Sequence, residues 1–146
     1  MPQLTLPIDP AGPLLEVFLG LEGNTVAALQ ASGQPIPPLL LTRGLVDTGT
    51  DVTAVAPTLL QRLAIPPVAT ASTHTAGGQA TVRLFRVSLA IPSQGGQTGP
   101  FFVEPTLLVT ELATLLPDAD VLIGRDVVLQ WLLVLNGPSR LFTLAH

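Results

Sequence analysis

The sequence predicts an all-β fold with two or three short helices. Its 146 residues are 47% apolar and only 11% charged, which is a composition that forms a core and is far from that of a disordered chain. Fifteen prolines and thirteen glycines divide the chain into many short segments. Short apolar segments separated by turn residues are typical of strands. The length fits a single domain, which we expect to span residues 1–146.

The first elements are a strand and a short helix. Residues 14–19 (LLEVFL) predict a core strand, which Gly20 ends. Asn24 can cap a helix over residues 25–30, because an asparagine side chain accepts hydrogen bonds from the free N–H groups of a first helical turn. Gly33 then stops that helix.

The next strand leads to the most informative part of the chain. Residues 39–46 are apolar apart from Thr42, Arg43 and Gly44, which predicts a buried strand that delivers Asp47 at its end. Residues 52–55 predict a further short strand. Pro57 suits the first turn of a helix that reaches about Leu63, because the missing N–H of proline costs nothing there.

A long hairpin is predicted for the middle of the chain. Residues 68–75 and 80–91 form its two strands, and Gly77 and Gly78 lie at its tip, where glycine allows a tight reversal. Residues 93–100 (SQGGQTGP) follow as a polar surface turn.

The C-terminal third alternates short elements with turns. We expect a strand over 101–109, a strand over 121–123, a helix over 127–131, a turn over 136–139 and a final strand over 141–144. Pro105 cannot donate to a strand ladder, so it indicates an edge or a bulge in the first of these strands.

The charge pattern excludes nucleic acid as a partner. The net charge is −4, lysine is absent, and the six arginines are scattered. Binding to phosphate backbones depends on clustered cations that release counterions. Cysteine is also absent, which excludes disulfides and a thiol nucleophile. His74 and His146 lack the spacing of a ligand set, so we expect no metal and no other cofactor.

No segment predicts association with a membrane. Every apolar stretch is interrupted by proline, glycine or charge well short of the roughly 20 residues that span a bilayer. The first residues, Met1, Pro2, Gln3 and Leu4, lack the basic segment and apolar run of a secretory signal. A cytoplasmic protein is therefore expected.

One short motif indicates chemistry. Asp47, Thr48 and Gly49 follow directly on the predicted buried strand. A carboxylate in this position is partly desolvated, and the glycine after it lets a ligand approach the backbone. Ser-based hydrolysis has little support, since no serine lies in a Gly-x-Ser-x-Gly context. A simpler alternative is that Asp47 only caps backbone N–H groups of a turn, a common role for aspartate before glycine.

A second segment gives this motif its context. Residues 45–51 (LVDTGTD), taken with residues 121–126 (VLIGRD), resemble the paired signature of retropepsin-like aspartic peptidases. Gly124, Arg125 and Asp126 are similar to the Ile-Gly-Arg-Asn/Asp segment that precedes the C-terminal helix of that family.

The resemblance extends from about residue 39 to the C-terminus, and residues 136–144 are similar to bacterial members in particular. It implies a closed β-barrel-like retropepsin fold that forms a homodimer through its termini and its Asp-Thr-Gly loops. It also implies an aspartic endopeptidase whose substrate is a peptide or protein lying in the dimer cleft as an added strand. Apolar residues around the motifs favour hydrophobic residues at the cut site.

The family's chemistry needs two carboxylates that share one proton, because like charges in contact cannot both ionise. No other aspartate here is followed by Ser or Thr and then Gly. The resemblance therefore implies that Asp47, with Thr48 and Gly49, forms the catalytic site together with its symmetry mate in a two-fold dimer.

The remaining site residues are also implied by the resemblance. The substrate-binding residues are Thr50 and Asp51 after the triplet, and Ala76, Gly77 and Gly78 at a flap tip that closes over substrate. Gly124, Arg125 and Asp126 give structural support, with Arg125 forming a bidentate pair with Asp51.

Two alternatives remain open at this point. Thr50 and the small polar flap depart from the usual family pattern, which keeps a non-cleaving dimerisation or peptide-binding module in consideration. The second alternative is a monomeric barrel in which Asp47 has only a structural role. The region between Asn24 and Gln34 is expected to be an insertion relative to the shortest family members.

Overall fold

A computed structural model describes residues 2–146. These residues form ten strands and three short helices. Their bounds are β1 Gln3–Pro7, β2 Leu14–Leu21, α1 Gly23–Ala31, β3 Leu40–Val46, β4 Ala54–Val55, α2 Pro57–Arg62, β5 Ala69–Thr75, β6 Gly78–Pro92, β7 Pro100–Glu111, β8 Val121–Ile123, α3 Arg125–Val128, β9 Leu132–Asn136 and β10 Leu141–Ala145. The predicted class, mainly β with a few short helices, is confirmed.

Six strands close into a barrel, in the order β2, β3, β8, β4, β7 and β6. The ring closes where β6 pairs back onto β2, with Leu19 opposite Leu89. Closure removes free strand edges within the ring. The strand β5 is attached outside the ring, to β6 alone. The closed barrel predicted from the resemblance is therefore confirmed.

Apolar side chains fill the barrel. Val17, Leu19, Val87, Leu89 and Val109 have no exposed surface. They come from alternating strand positions, as expected when one face of each strand lines an interior. Burying each of these side chains contributes roughly 1.5–3 kcal/mol of transfer free energy. Because the interior is filled with side chains, a binding site has to lie at the rim.

A parallel strand pair sets the position of that rim site. The strands β3 and β8 run in parallel, with Val46 opposite Ile123. Since the carboxyl ends of parallel strands meet at one edge, the residues after each strand emerge side by side. Asp47 and Gly124 are those residues. The two halves of the sequence motif are thus brought together by one short ladder.

The hairpin of β5 and β6 projects from the barrel. Its strands pair from Ala69 opposite Leu84 to Thr75 opposite Gly78. The strand β6 meets β7 only from Leu84 onward, so the tip half is a two-stranded ribbon. Gly78 has a φ of +110°, which favours glycine. The predicted glycine hairpin is confirmed, with the reversal at Ala76 and Gly77.

A bulge lies in β7, as the proline predicts. Val87 pairs with Leu107, whereas Leu89 pairs with Glu104. Two residues of β7, Pro105 and Thr106, therefore lie opposite one residue of β6, which is the geometry of a bulge. The bulge lets a residue without an N–H occupy a central strand.

A second sheet is formed by the two ends of the described chain. Its order is β1, β10, β9, and all pairs are antiparallel. Leu4 lies opposite Leu144, and Leu4, Phe142 and Leu144 are buried against the barrel. Neither β1 nor β9 was expected from the sequence, whereas the predicted last strand is present as β10.

Three sequence predictions about local structure were wrong. The strand β3 is not buried throughout, because only one of its faces lines the barrel; Leu41 is 54% exposed. Asn24 does not cap α1, since the helix begins earlier: the Val26 N–H already donates to the Glu22 carbonyl at 3.0 Å. Helix α3 covers 125–128, and Trp131 lies beyond it, packed edge-on to Phe102.

None of the helices within residues 2–146 has the length and apolarity that crossing a membrane requires. The longest, α1, has nine residues, and none of its side chains is buried. This helix falls in the region between Asn24 and Gln34 that was expected to be an insertion.

Candidate active site

Asp47 lies at the end of β3, on the rim of the barrel. Its backbone N–H donates to the Ile123 carbonyl at 2.9 Å, which extends the β3–β8 ladder by one step. Its side chain is partly exposed. A rigid strand therefore presents a carboxylate to solvent at a fixed position, as a reactive group requires.

Two neighbours orient this carboxylate. The Gly49 N–H donates to Oδ1 at 2.8 Å, and the Thr50 hydroxyl donates to Oδ2 at 3.2 Å. A Cβ at position 49 would lie 3.1 Å from Oδ1, so glycine is what allows this close contact. Thr50, predicted to bind substrate, thus contacts Asp47 itself in the single chain.

Thr48 offers an unused hydroxyl. Its side chain is exposed, and within residues 2–146 the hydroxyl forms no hydrogen bond. Its carbonyl, in contrast, accepts a hydrogen bond from Arg125 Nη1 at 3.0 Å. The backbone of the triplet is therefore held in place, while the hydroxyl is free to bind a group from another molecule.

Arg125 holds the loop of residues 47–51 in place. Its Nη2 pairs with Asp51 Oδ1, and its backbone N–H donates to the Thr50 carbonyl at 2.8 Å. The sequence predicted a bidentate pair between Arg125 and Asp51. The guanidinium instead divides its contacts between the Asp51 carboxylate and the Thr48 carbonyl, so it spans the loop.

The residues on either side of Arg125 in the chain belong to a buried hydrogen-bond network. The Thr53 side chain is fully buried, and its hydroxyl donates to Asp126 Oδ1 at 2.8 Å. The same hydroxyl accepts a hydrogen bond from the Gly124 N–H at 3.1 Å. Asp126 Oδ2 accepts from the Thr53 N–H at 3.0 Å. Gly124 and Asp126 thereby join the active-site loop to α3.

Sequence reasoning missed Thr53. The only signal was a single hydroxyl residue between Val52 and the apolar pair Ala54 and Val55. A polar side chain in a buried strand needs a partner, and Asp126 was the nearest acidic residue of the second motif. Pairing the two would have required knowing that β4 and β8 are neighbours.

The hairpin tip lies apart from the loop in the single chain. Ala76, Gly77 and Gly78 are all exposed, and among the described residues they form no hydrogen bond with residues 47–51. The Thr75 hydroxyl donates to the Gly78 carbonyl at 2.9 Å, which stabilises the turn. Ala76 and Gly77 lie outside the strand ladder, so they are the tip residues whose exposed backbone is open to a ligand.

An ion pair anchors the base of this hairpin. Arg83 on β6 binds Glu111 on β7 through Nε to Oε1 at 3.0 Å and through Nη2 to Oε2 at 2.7 Å. The Arg83 backbone N–H also donates to Oε1, at 3.1 Å. These hydrogen bonds from Arg83 lower the pKa of the Glu111 carboxyl, against an opposing effect of its burial. The pair lies where β6 leaves the barrel.

We expect Glu111→Gln to lower Tm at pH 7 by no more than a few degrees. A carboxyl with a lowered pKa in the folded chain contributes stability above its unfolded value, and that contribution is lost as the pH falls through the folded value. The Tm difference between wild type and variant should therefore have its full size above about pH 4.5, which is the ordinary pKa of a glutamate carboxyl. It should shrink as the pH falls below that value. Thermal melts from pH 7 into acid measure this difference.

Glu104→Gln is the matched control, because Glu104 lies on the same strand and has no ion-pair partner within residues 2–146. It should leave Tm nearly unchanged. A Tm difference for Glu111→Gln that grew on acidification would contradict the assigned ion pair.

Two surface concavities do not belong to this loop. One of about 240 Å³ is lined by Leu4, Leu14 and Arg43 among others, and one of about 270 Å³ lies around Asp118. Neither includes any residue of 47–51. Within residues 2–146, no group of three or more His, Cys, Asp or Glu side chains lies close enough together to hold a metal ion.

Comparisons with known proteins fit this geometry. A family model described as aspartyl protease matches residues 32–127, which is more than half of the chain. No curated protein matches the chain. Its fold is similar to the crystal structure of a retropepsin-like aspartic protease from Rickettsia conorii, with a TM-score of 0.60 at 14% identity over 97% of this chain and 89% of that one. The chain therefore belongs to the aspartyl protease family and is an aspartic endopeptidase of retropepsin-like fold.

Proposed function

We propose that this chain cleaves peptide bonds as a homodimer, in which the Asp47 carboxylates of two subunits meet on a two-fold axis. The observation that carries the proposal is one oriented and partly exposed carboxylate per chain, held by Gly49 and Thr50. In this proposal the active enzyme consists of two copies of the single domain 1–146, related by the two-fold axis.

The requirement for a dimer follows from the chemistry. Hydrolysis by this route needs a base that acts on the water and an acid that acts on the scissile carbonyl oxygen, and two adjacent carboxylates sharing one proton supply both. The chain contains one Asp-Thr-Gly triplet. The unused Thr48 hydroxyl supports the same arrangement, because it is available to a backbone or side chain of the partner subunit.

The proposed reaction uses a water molecule as the nucleophile. The ionised Asp47 takes a proton from this water, whose oxygen bonds to the scissile carbonyl carbon. The protonated Asp47 of the partner subunit gives its proton to the carbonyl oxygen. The resulting tetrahedral diol then collapses. One diol hydroxyl gives its proton to the now ionised Asp47 of the partner subunit as the C=O bond re-forms, the C–N bond breaks, and the leaving amine takes the proton held by the first Asp47, so that one proton again remains on the pair. No metal or organic cofactor takes part.

Substrate is proposed to lie as an extended strand between the loop and the hairpin tip. The backbone groups of Ala76, Gly77 and Gly78 would pair with the substrate backbone, and alternate side chains would enter pockets beside Thr50 and Asp51. Val52, next to the loop, is 37% exposed and gives these pockets an apolar wall. We therefore expect hydrophobic residues on both sides of the cut.

The pH dependence of cleavage tests this proposal. Because one carboxyl of the pair must carry a proton while the other is ionised, we expect activity on a mixed peptide library to peak on the acid side of neutrality. The measurement is cleavage of the library between about pH 3 and about pH 8, with cut sites read by mass spectrometry. A flat profile, or cut sites without hydrophobic enrichment, would contradict the proposed mechanism or the proposed specificity respectively.

A further inference from the structure

The cavity of about 240 Å³ lies where the terminal sheet meets the barrel. Its apolar lining combines Leu4 and Leu6 of β1 with Leu15 of β2 and Ile91 of β6. Segments that are distant in the sequence therefore converge on one concave surface, and ligand sites are often formed at such junctions. Because no residue of the 47–51 loop lines this cavity, it is separate from the active-site loop.

The dimensions and the rim of the cavity suit a small ligand with an apolar part. Pockets for drug-sized molecules measure roughly 300–1,000 Å³, so this smaller cavity suits one aliphatic side chain and the polar groups next to it. Gln94 lies on the rim, and its side-chain amide forms no hydrogen bond within residues 2–146. The neighbouring Ser93 hydroxyl donates to the Gly99 carbonyl at 2.7 Å, which leaves its oxygen able to accept.

Glu16 is the charged group of the rim that has no partner in the described chain. It lies directly opposite Arg43 in the β2–β3 ladder, and both residues line the cavity. The two side chains nevertheless form no ion pair with each other, because Arg43 Nη2 lies toward Asp9, 3.7 Å from Oδ2. The Glu16 carboxylate is therefore available to a cation, whereas the Arg43 guanidinium already has an anionic neighbour.

The surroundings of the cavity also favour a cation. Arg43 lines the neighbouring concavity as well, together with Asp118 and Asp120. Asp9, Glu16, Asp118 and Asp120 thus place four carboxylates around one guanidinium. The summed field of such a group attracts positive charge and repels negative charge. A ligand with a free carboxylate would be disfavoured at this position.

We propose that this cavity binds the amino terminus of a peptide whose first residue is aliphatic. The α-ammonium pairs with the Glu16 carboxylate, the aliphatic side chain packs on Leu6 and Leu15, and the following peptide group hydrogen-bonds to the Gln94 amide. The source of the peptide rests on the proposed function, because cleavage between hydrophobic residues releases a product with this kind of terminus.

Three small probes test which groups the cavity recognises. Leucinamide carries the α-ammonium and the aliphatic side chain, N-acetylleucinamide lacks the charge, and glycinamide lacks the side chain. We expect leucinamide to bind with a Kd in the millimolar range at about pH 6, where its amino group is protonated. Each of the other two should bind at least about tenfold more weakly. Titrations followed by NMR measure the Kd values and locate the shifts, which should centre on Leu6, Leu15 and Gln94.

Two substitutions on the rim should have different effects on leucinamide. Glu16→Gln removes the proposed ion pair and should weaken binding about three- to tenfold. Arg43→Gln removes a like charge and should leave binding as tight as in the wild type, or tighter. Glu104→Gln is the matched control, because Glu104 is another strand glutamate and does not line the cavity. It should bind leucinamide as the wild type does, and circular dichroism checks the folding of all three variants.

Several outcomes would overturn the inference. Equal binding of leucinamide and N-acetylleucinamide, or an unchanged Kd in Glu16→Gln, would show that no ammonium is recognised there. Loss of binding in Arg43→Gln would indicate a site for anions. Isoamylamine has the same ammonium and aliphatic groups without the peptide amide. If it binds as tightly as leucinamide, the ligand is a free amine and not a peptide terminus.

Binding and cleavage are measured separately, so the failure of one is distinguishable from the failure of the other. If leucinamide binds as expected but the wild type cuts no peptide, the site stands and the proposed function fails. If the wild type cuts peptides but leucinamide causes no shifts at the cavity, the proposed function stands and the site is overturned.

Discussion

Asp47→Asn is expected to reduce peptide cleavage by at least about 10³-fold while leaving the fold intact, because an amide can neither take a proton from water nor give one to the scissile carbonyl. The Gly49 N–H and Thr50 hydroxyl can still bind the amide oxygen, so the loop geometry should be preserved. Initial rates of peptide cleavage, with circular dichroism as the folding check, measure this effect. Asp118→Asn, at an exposed aspartate without a hydrogen bond in the described chain, is the matched control.

Mixing the variant with wild type distinguishes one carboxylate from two. If both Asp47 residues of a dimer are needed, an equal mixture of freely exchanging subunits keeps about a quarter of the wild-type activity, since only wild-type pairs are active. If each chain formed a complete site by itself, the equal mixture would keep about half of the wild-type activity. Activity near a half, or full activity in Asp47→Asn alone, would rule out the shared dyad.

Gly124→Ala should have the largest effect on stability. A Cβ at this position would lie 2.8 Å from the Val52 carbonyl carbon and 3.0 Å from the Thr53 nitrogen. Both are backbone atoms that cannot turn aside, so β4 or the 124–126 segment must shift. We expect the free energy of unfolding to fall by about 1–3 kcal/mol, the usual cost of overpacking. Urea unfolding measures the loss.

Cleavage should fall with stability in this variant, because Arg125 and Asp126 follow directly and hold the Asp47 loop. Gly137→Ala is the matched control: a Cβ there meets no atom within 4 Å, and its φ is not in the left-handed region. Equal unfolding free energies for the two variants would show that the close approach at Gly124 is not a constraint.

Much of the barrel could be predicted because its local signals are strong. The glycines at 77 and 78, the proline at 57 and the apolar triplet of β8 each indicate one structure by local chemistry. The terminal strands gave weaker signals. The strand β1 has only five residues and ends at Pro7, and the apolar run of β9 is too short to be distinguished from the end of a helix by periodicity.

The active site was only partly predictable, because some of its residues are identified only by contacts between distant parts of the sequence. Asp47 and Arg125 are recognisable by motif, but Thr53 is identified only by its contacts. Its partners Gly124 and Asp126 are 71 and 73 residues away, and no local pattern marks such a pair. The Arg125 guanidinium contacts both the Asp51 carboxylate and the Thr48 carbonyl. This arrangement likewise depends on the loop conformation and not on residue type.

The pairing of β1 with β10 has a consequence for how the chain folds. The hydroxyls of Thr5 and Thr143 meet at 2.9 Å across 138 residues of sequence. Contacts this distant form late, because the entropy of closing the loop must be overcome before the contact contributes. The hairpin of β5 and β6, with its short reversal, is expected to form much earlier. The terminal sheet of β1, β10 and β9 is therefore expected to be complete only after the barrel has formed.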